Sequence, residues 1–141
     1  MGNTDVVTSI YTALRGADID TVVAVFDDDI EWREAEGHPY QPDGAAWQGA
    51  EAIVQNLFVR LATEWDTFRV VPAHIHDAGA TVVVEGRYHG TFTATGKKLD
   101  AQFCHIWQLN AGKVQAFQQY ADTAQLQAVT VDSLATSERS E

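Results

Sequence analysis

The sequence predicts an α+β fold, a conical and strongly curved antiparallel sheet wrapped around helices near the N-terminus. Three observations lead to this prediction. Apolar residues recur at helical spacing in the first third of the chain, the second half is rich in β-branched and aromatic residues, and short turn sequences separate its β segments. Helices can cover only part of such a twisted sheet, so we expect a concave pocket that takes an apolar small molecule.

The composition indicates a globular protein with an acidic balance. The chain has 141 residues, 45% of them hydrophobic and 21% charged, and its 9 Lys and Arg against 20 Asp and Glu give a net charge of −11. Binding to nucleic acids or to acidic membranes depends on Lys and Arg, so this balance argues against both classes of partner. The single cysteine, Cys104, excludes an intrachain disulfide.

The expected organisation is a single domain over residues 1–141, with an ordered core over about 4–130 and a polar C-terminal tail. The segment 1–11 is too polar for a signal peptide, and no apolar run approaches ~20 residues. A cytoplasmic location is therefore expected.

The first half of the chain predicts three helices. Apolar residues recur at intervals of three and four over Val6–Leu14. Asp18 is placed to cap a second, shorter helix that carries apolar residues up to Phe26. A third helix follows Gly49, and the apolar residues expected to be buried in it are Ile53, Leu57, Val59 and Leu61.

Between the second and third helices, one strand and one long connection are expected. The stretch Ile30–Glu34 alternates and predicts a strand with Ile30, Trp32 and Glu34 on one face, after a break at the three aspartates 27–29. The connection 35–48 is longer than usual for a compact domain, which favours a lid or a pocket rim. His38 in this connection either closes over the pocket or is solvated.

The second half of the chain predicts an antiparallel meander of four strands joined by short turns. The strands are expected at Phe68–Ile75, Thr81–Thr93, Lys98–Leu109 and Lys113–Tyr120. A last short helix begins at Asp122, because Asp122 and Gln125 have the spacing of a capping box.

Seven segments, taken in order and spacing, carry a resemblance to a known family. They are Tyr11–Asp20, 25–30, Gly49–Ile53, Gly90–Lys97, His105–Trp107, Gly112–Val114 and Tyr120–Thr123. Together they resemble the nuclear transport factor 2-like superfamily, in its SnoaL-like and ketosteroid-isomerase-like branch, over Val6 to about Leu126. The resemblance implies a conical, cystatin-like α+β barrel that is frequently a homodimer. It also implies either a non-catalytic protein or an isomerase, polyketide cyclase, dehydratase or epoxide hydrolase that works without metal or organic cofactor.

Ketosteroid isomerase uses an Asp base with a Tyr and a protonated Asp as oxyanion donors. The resemblance places the base at Glu34, where burial beside Trp32 would raise the carboxyl pKa towards neutrality, although a surface position is the alternative. The two donor positions fall on Ile10 and Cys104, which are poor or no donors. Steroid-type isomerisation is therefore not expected.

The SnoaL-like cyclases use a His and an Asp on neighbouring strands. The resemblance places the His at His105, which is either a catalyst or a satisfied core histidine. The Asp position falls on Gln119 by spacing, or on Asp122 after a short slip, where Asp122 could equally be a helix cap. Gln119 can orient a carbonyl but cannot accept a proton. An epoxide hydrolase needs an Asp–Arg–Asp set, for which Arg87 could supply the guanidinium.

Substrate contacts are expected from aromatic residues, and no metal site is expected. His74 and His76 have the spacing of a ligand pair but lack a third ligand nearby. The candidate substrate-binding residues are Tyr11, Trp32, Trp47, Phe58, Trp107 and Phe117.

The sequence therefore favours an acid–base enzyme that acts on an apolar, carbonyl-bearing small molecule by isomerisation, cyclisation or dehydration. Glu34 would be the base, His105 a second acid–base group or donor, and Gln119 a carbonyl-orienting group. The alternative is a non-catalytic ligand-binding or dimerisation module of the same fold. Whether these three side chains converge on one enclosed cavity distinguishes the two hypotheses.

Overall fold

The structure is a computed structural model and describes residues 2–131. The helices are α1 (Asn3–Arg15), α2 (Ile19–Val23), α3 (Ala50–Ile53), α4 (Val59–Glu64) and α5 (Thr123–Thr130), with a π-helical turn (Val54–Phe58) between α3 and α4. The strands are β1 (Phe26–Arg33), β2 (Trp47–Gln48), β3 (Trp65–Ala78), β4 (Thr81–Phe92), β5 (Lys98–Asn110) and β6 (Lys113–Ala121). The predicted α+β class is confirmed, and the predicted polar C-terminal tail lies outside the described residues.

All strands belong to one sheet in the order β2-β1-β6-β5-β4-β3. Strands β3 to β6 form the predicted antiparallel meander, whereas β1 adds parallel to β6. The register sets Trp32 opposite Phe117, and His105 opposite Gln119. Residues directly opposite one another point to the same side of the sheet, so both pairs lie together on its inner face.

The sheet curves at a bulge in β3 that lies opposite a glycine in β4. The register between these strands shifts between Pro72 and His74, opposite Gly86. A Cβ atom on Gly86 would lie 2.6 Å from Cζ of Phe103, so the backbone approaches its neighbours too closely for any side chain. A bulge facing a glycine bends a sheet and increases its twist, which produces the predicted concave side.

Several element boundaries differ from the sequence prediction: α2 ends at Val23 instead of carrying Phe26, and the predicted connection 35–48 contains the short strand β2. Strand β1 begins at Phe26, so the three aspartates lie inside the strand, where its register with β6 shifts between Phe26 and Glu31. A bulge of this kind leaves such residues without ladder partners and free to face water. Strand β3 runs from Trp65 to Ala78 rather than over Phe68–Ile75, because it pairs with β4 along its whole length.

The helical segment after Gly49 buries two of its four predicted residues, and a third, Leu61, is half-buried. Ile53 and Leu57 are buried, but Val59 is 40% exposed, contrary to expectation. Val59 follows Leu57 by two residues, which places it about 200° around the helix and on the opposite face. Phe58 is buried in its place.

Helix α1 packs against β3 and β4, and α5 packs on β5. In the described part of the chain, no helix is long and apolar enough to cross a membrane.

Candidate active site

The concave side of the sheet encloses a cavity of about 640 Å³ together with the end of α1 and the helical segment before β3. Three predicted site residues, Glu34, His105 and Gln119, all line this cavity. Four of the predicted aromatic contacts line it as well: Trp32, Phe58, Trp107 and Phe117. The interior is therefore aromatic, with a small number of buried polar groups.

Glu34 is the one carboxyl group in the described residues that is buried and lines the cavity. Its Oε1 accepts a hydrogen bond from Nε1 of Trp32 at 3.3 Å, while its buried Oε2 has no partner among the described residues. Burial raises the pKa of this carboxyl to about 7, and the Trp32 hydrogen bond opposes the shift. Glu34 can therefore exchange a proton with a ligand near neutral pH.

Two glutamine side chains hold the backbone around Glu34. Oε1 of Gln41 accepts from the Glu34 amide at 2.7 Å, and Nε2 of Gln41 donates to the Trp32 carbonyl at 3.2 Å. Oε1 of Gln119 accepts from the amide of Ala35 at 3.2 Å. These bonds hold the backbone just where the chain leaves β1, and so hold the base of the Glu34 side chain.

The connection between β1 and β2 is anchored to the helices by Tyr40. Its hydroxyl donates to Oε1 of Glu64 at 2.9 Å and accepts from Nε1 of Trp65 at 3.1 Å. The Arg60 guanidinium lies 3.7 Å from the centre of the Tyr40 ring and also donates to Glu64 at 2.8 Å. The predicted rim of the pocket is thus tied to α4 and to the start of β3, and it forms part of the cavity wall.

His38 belongs to this wall, so of the two expectations for it, closing over the pocket is confirmed. The side chain is buried and lines the cavity. Its Nδ1 accepts a hydrogen bond from the Tyr40 amide at 3.0 Å, and burial, helped by the charge of Arg60, lowers its pKa to about 4. His38 is therefore neutral with its proton on Nε2.

His105 lies at the centre of a buried hydrogen-bond network. Its Nδ1 and the Tyr11 hydroxyl are hydrogen-bonded at 2.7 Å, and its Nε2 is hydrogen-bonded to the Tyr88 hydroxyl. Nε1 of Trp107 donates to Tyr11 at 2.9 Å, and Nε2 of Gln119 donates to Tyr88 at 2.9 Å. Burial lowers the pKa of His105 to about 3, so the imidazole is neutral.

Two predicted substrate contacts do not reach the cavity wall. Tyr11 is on the buried side of α1, and its hydroxyl bonds to His105 and Trp107 rather than facing the cavity. Trp47 lies on the edge strand β2, where it pairs with Trp32 and is half-buried. Neither is among the lining residues.

Two candidate polar residues also lie elsewhere. Asp122 caps α5, with its Oδ1 accepting from the Gln125 amide at 3.1 Å, so the capping alternative is confirmed and the catalytic one is not supported. Arg87 is on the outer face of the sheet, where its Nε donates to Asp100 at 2.8 Å. The guanidinium needed for an epoxide hydrolase is therefore not supplied by Arg87.

Cys104, His74 and His76 lie outside the cavity. Burial, together with the charge of Glu85, raises the pKa of the Cys104 thiol, which makes it a poor nucleophile. His76 and Glu85 form an exposed pair at 2.7 Å. Over residues 2–131, no group of three His, Cys, Asp or Glu side chains could hold a metal ion.

Two residues that shape the site, Tyr88 and Gln41, are not predicted from the sequence. Tyr88 is buried on β4 and lines the cavity. It has the same parity on its strand as the buried Val82 and Val84, so strand alternation alone could have identified it. Gln41 lies in an irregular connection, where no periodicity indicates which side chain turns inward.

The comparisons with known proteins agree with this architecture. A model of the SnoaL-like domain family matches residues 7–117. An NTF2-like protein from Burkholderia thailandensis is 34% identical, with a TM-score of 0.87, over 93% of this chain and 98% of the other. No curated protein matches the sequence significantly.

Two more distant solved structures share the fold. TerC, co-crystallised with polyporic acid, is 23% identical with a TM-score of 0.80, and the alignment covers 91% of this chain and 97% of the TerC chain. A putative SnoaL-like polyketide cyclase from Jannaschia sp. is 19% identical with a TM-score of 0.75, over 92% of each chain. The match to the family model over most of the described sheet, together with the close structural relative, shows that this protein belongs to the SnoaL-like domain family and has the NTF2-like fold.

Proposed function

We propose that this protein is an acid–base enzyme that acts on an apolar, carbonyl-bearing small molecule by a proton shift, a cyclisation or a dehydration. The observation that carries the proposal is Glu34, a buried carboxyl group with one unpartnered oxygen, in an aromatic cavity of about 640 Å³. A volume of this size suits a ligand of several rings.

Glu34 would remove a proton from carbon next to the ligand carbonyl and return it elsewhere. A carboxyl group with a pKa near 7 is effective in both directions, because its acid and base forms are both populated at neutral pH. The fixed backbone around it supports this role, since a base must lie within hydrogen-bond distance of the proton that it removes.

Gln119 and His105 would contribute in different ways. One amide hydrogen of Gln119 is bound to Tyr88, and its second amide hydrogen would orient a ligand oxygen. His105 is neutral and hydrogen-bonded through both ring nitrogens, so a role as a donor or positioning group fits it better than a role as a base.

Structural relatives support a small-molecule ligand. One of them, TerC, was crystallised with polyporic acid, and another is described as a putative polyketide cyclase. At 23% and 19% identity, these two structures share only the fold with this chain. A small-molecule ligand of this chain is therefore part of the proposal.

A ligand screen followed by isotope exchange tests the function. Polyketide-like, terpenoid and steroid-like ketones are screened by thermal shift, because a ligand at a hundredfold excess over its Kd stabilises a protein by about 2.7 kcal/mol. Ketones that bind are then incubated in D₂O, and deuterium incorporation next to the carbonyl is measured by mass spectrometry. Incorporation that depends on the wild-type protein and is lost in Glu34→Gln, with binding retained, supports the enzyme.

A non-catalytic ligand-binding protein is the second candidate. The observation in its favour is that His105 and Gln119 are already hydrogen-bonded within the protein. Ketones that bind tightly without any deuterium incorporation would establish this alternative.

We further propose a homodimer through the outer face of the sheet. On this face Val83 of β4 lies opposite Ile106 of β5, and two residues along β5 Cys104 lies opposite Tyr120 of β6. Tyr120 is 54% exposed, which is unusual for a large aromatic residue on a sheet. Light scattering after size-exclusion chromatography is expected to give twice the chain mass, and Tyr120→Glu to give a monomer. A monomeric wild-type protein would contradict the proposal.

A further inference from the structure

We infer that Tyr88 presents its hydroxyl hydrogen to a ligand oxygen in the cavity, and that His105 holds it in this role as the tautomer with its proton on Nε2. The inference rests on the proposed function for the ligand class, a carbonyl, enol or phenol. It assigns Tyr88 as a hydrogen-bond donor of the site and His105 as a positioning residue.

The network around His105 contains one more hydroxyl hydrogen than its own acceptors can use. Tyr11 accepts from Trp107, and Tyr88 accepts from Gln119. The neutral imidazole of His105 lies between the two hydroxyl groups and has one N–H and one lone pair. It therefore donates to one tyrosine and accepts from the other. The tyrosine that receives the imidazole proton keeps a hydroxyl hydrogen that this network does not use.

The burial of the two tyrosines decides which hydroxyl hydrogen is left over. With the proton on Nδ1, the surplus hydrogen belongs to Tyr11, which is 3% exposed, does not line the cavity and has no further acceptor among the described residues. With the proton on Nε2, the surplus belongs to Tyr88, which lines the cavity. Burying an unused donor is unfavourable, so the Nε2–H tautomer is preferred.

The result is a directed chain of donors that ends in the cavity. Trp107 donates to Tyr11, Tyr11 to His105, His105 to Tyr88, and Tyr88 to the ligand oxygen. Hydrogen bonds in such a chain polarise one another, which makes the last donor stronger than an isolated hydroxyl. Phe103 stacks on the imidazole with 3.9 Å between ring centroids, which keeps the ring in place.

Tyr88 and Glu34 face the same cavity, so one ligand can contact both. Both line the cavity, and the pKa of Tyr88 is raised well above its usual value by burial first and by the charge of Glu34 second. The hydroxyl therefore stays protonated and remains a donor. This donor comes from β4, whereas the donor positions expected from the family hold Ile10 and Cys104.

The tautomer is measured without any ligand. Long-range ¹H–¹⁵N correlation spectra of ¹⁵N-histidine-labelled wild-type protein distinguish the two neutral tautomers, and His105 is assigned from contacts between its ring protons and those of Phe103 and Trp107. We expect the Nε2–H pattern at pH 7. An Nδ1–H or imidazolium pattern would overturn the inference.

The donor role of Tyr88 is tested by measuring the affinities of the protein for 2-naphthol and naphthalene, which differ by one hydroxyl group. We expect wild-type protein to bind 2-naphthol at least tenfold more tightly than naphthalene, and Tyr88→Phe to abolish this preference while naphthalene affinity stays the same. Tyr120→Phe, on the outer face, is the matched control and should keep the preference. Equal affinities for the two compounds, or binding of neither, would refute the donor role.

These outcomes separate the inference from the proposed function. Loss of the naphthol preference in Tyr88→Phe, combined with no deuterium incorporation into any bound ketone, would uphold the donor and refute catalysis. Deuterium incorporation with an unchanged preference in Tyr88→Phe would do the reverse.

Discussion

Trp32 and Glu34, two residues apart at the end of β1, are both buried and share a hydrogen bond of 3.3 Å from the indole nitrogen to Oε1. One neutral donor is all that this carboxylate receives, because its second oxygen has no partner in residues 2–131. The ionised form is therefore poorly solvated in the folded protein. The raised pKa of Glu34 follows directly from this arrangement.

This pKa makes the stability of the protein depend on pH. The Glu34 pKa rises from 4.5 to about 7 on folding, so between these pH values the folded state binds more protons than the unfolded state. Stability then falls as the pH rises through this window, by about 3 kcal/mol in total for this group. Glu34→Gln removes the effect, so its stability relative to wild type should increase from pH 4.5 to 7, as measured by urea unfolding. A constant difference between the two proteins would contradict this prediction.

The buried histidines produce the opposite dependence over an overlapping pH range. Burial lowers the pKa of His105 from 6.5 to about 3 and that of His38 from 6.5 to about 4. The unfolded chain therefore binds more protons below pH 6.5, and the stabilisation is lost as the pH falls from 6.5 towards 4. His38→Gln should weaken this acid sensitivity in urea unfolding at pH 6.5, 5.5 and 4.5. His74→Gln, at an exposed position, should leave it unchanged, and equal behaviour of the two variants would contradict the assignment to His38.

Strand alternation explains how much of the site could be predicted from the sequence. Parity alone places Glu34 on the buried side of β1, and it does the same for His105 and Gln119 on β5 and β6. Convergence on one cavity also requires the register between strands, which sets His105 opposite Gln119. This register between strands cannot be read directly from the sequence.

The residues that sequence analysis misplaced or missed depend on tertiary contacts. Tyr11 and Ile10 are both buried, because α1 is covered by the sheet and by the network around His105, and helical spacing cannot separate their roles. Gln41 and His38 act from an irregular connection whose path is set by the bonds of Tyr40 to Glu64 of α4 and to Trp65 at the start of β3. Patterns of period 2 or 3.6 carry no information about such a path.

The Tyr11 hydroxyl is expected to stabilise the fold. Tyr11→Phe leaves the indole N–H of Trp107 and Nδ1 of His105 without partners in a buried region. Each unsatisfied group costs about 1–3 kcal/mol, so we expect a loss of at least 1 kcal/mol in the free energy of unfolding. Thr93→Val removes an exposed hydroxyl in the turn after β4 and should change it by less than about 0.5 kcal/mol. Equal stabilities of the two variants in urea would show that the Tyr11 hydrogen bonds contribute nothing.

The Tyr40 hydroxyl should control the mobility of the cavity wall. Tyr40→Phe removes the bonds to Glu64 and Trp65 but keeps the ring under the Arg60 guanidinium. The connection 34–46 should then open more often, with amide hydrogen exchange faster by about tenfold for a loss of ~1.4 kcal/mol in local stability. Hydrogen exchange in β5, which has no bond to Tyr40, serves as the internal control and should not change. Faster exchange in both segments would indicate global destabilisation, and unchanged exchange in 34–46 would show that Gln41 holds the connection without Tyr40.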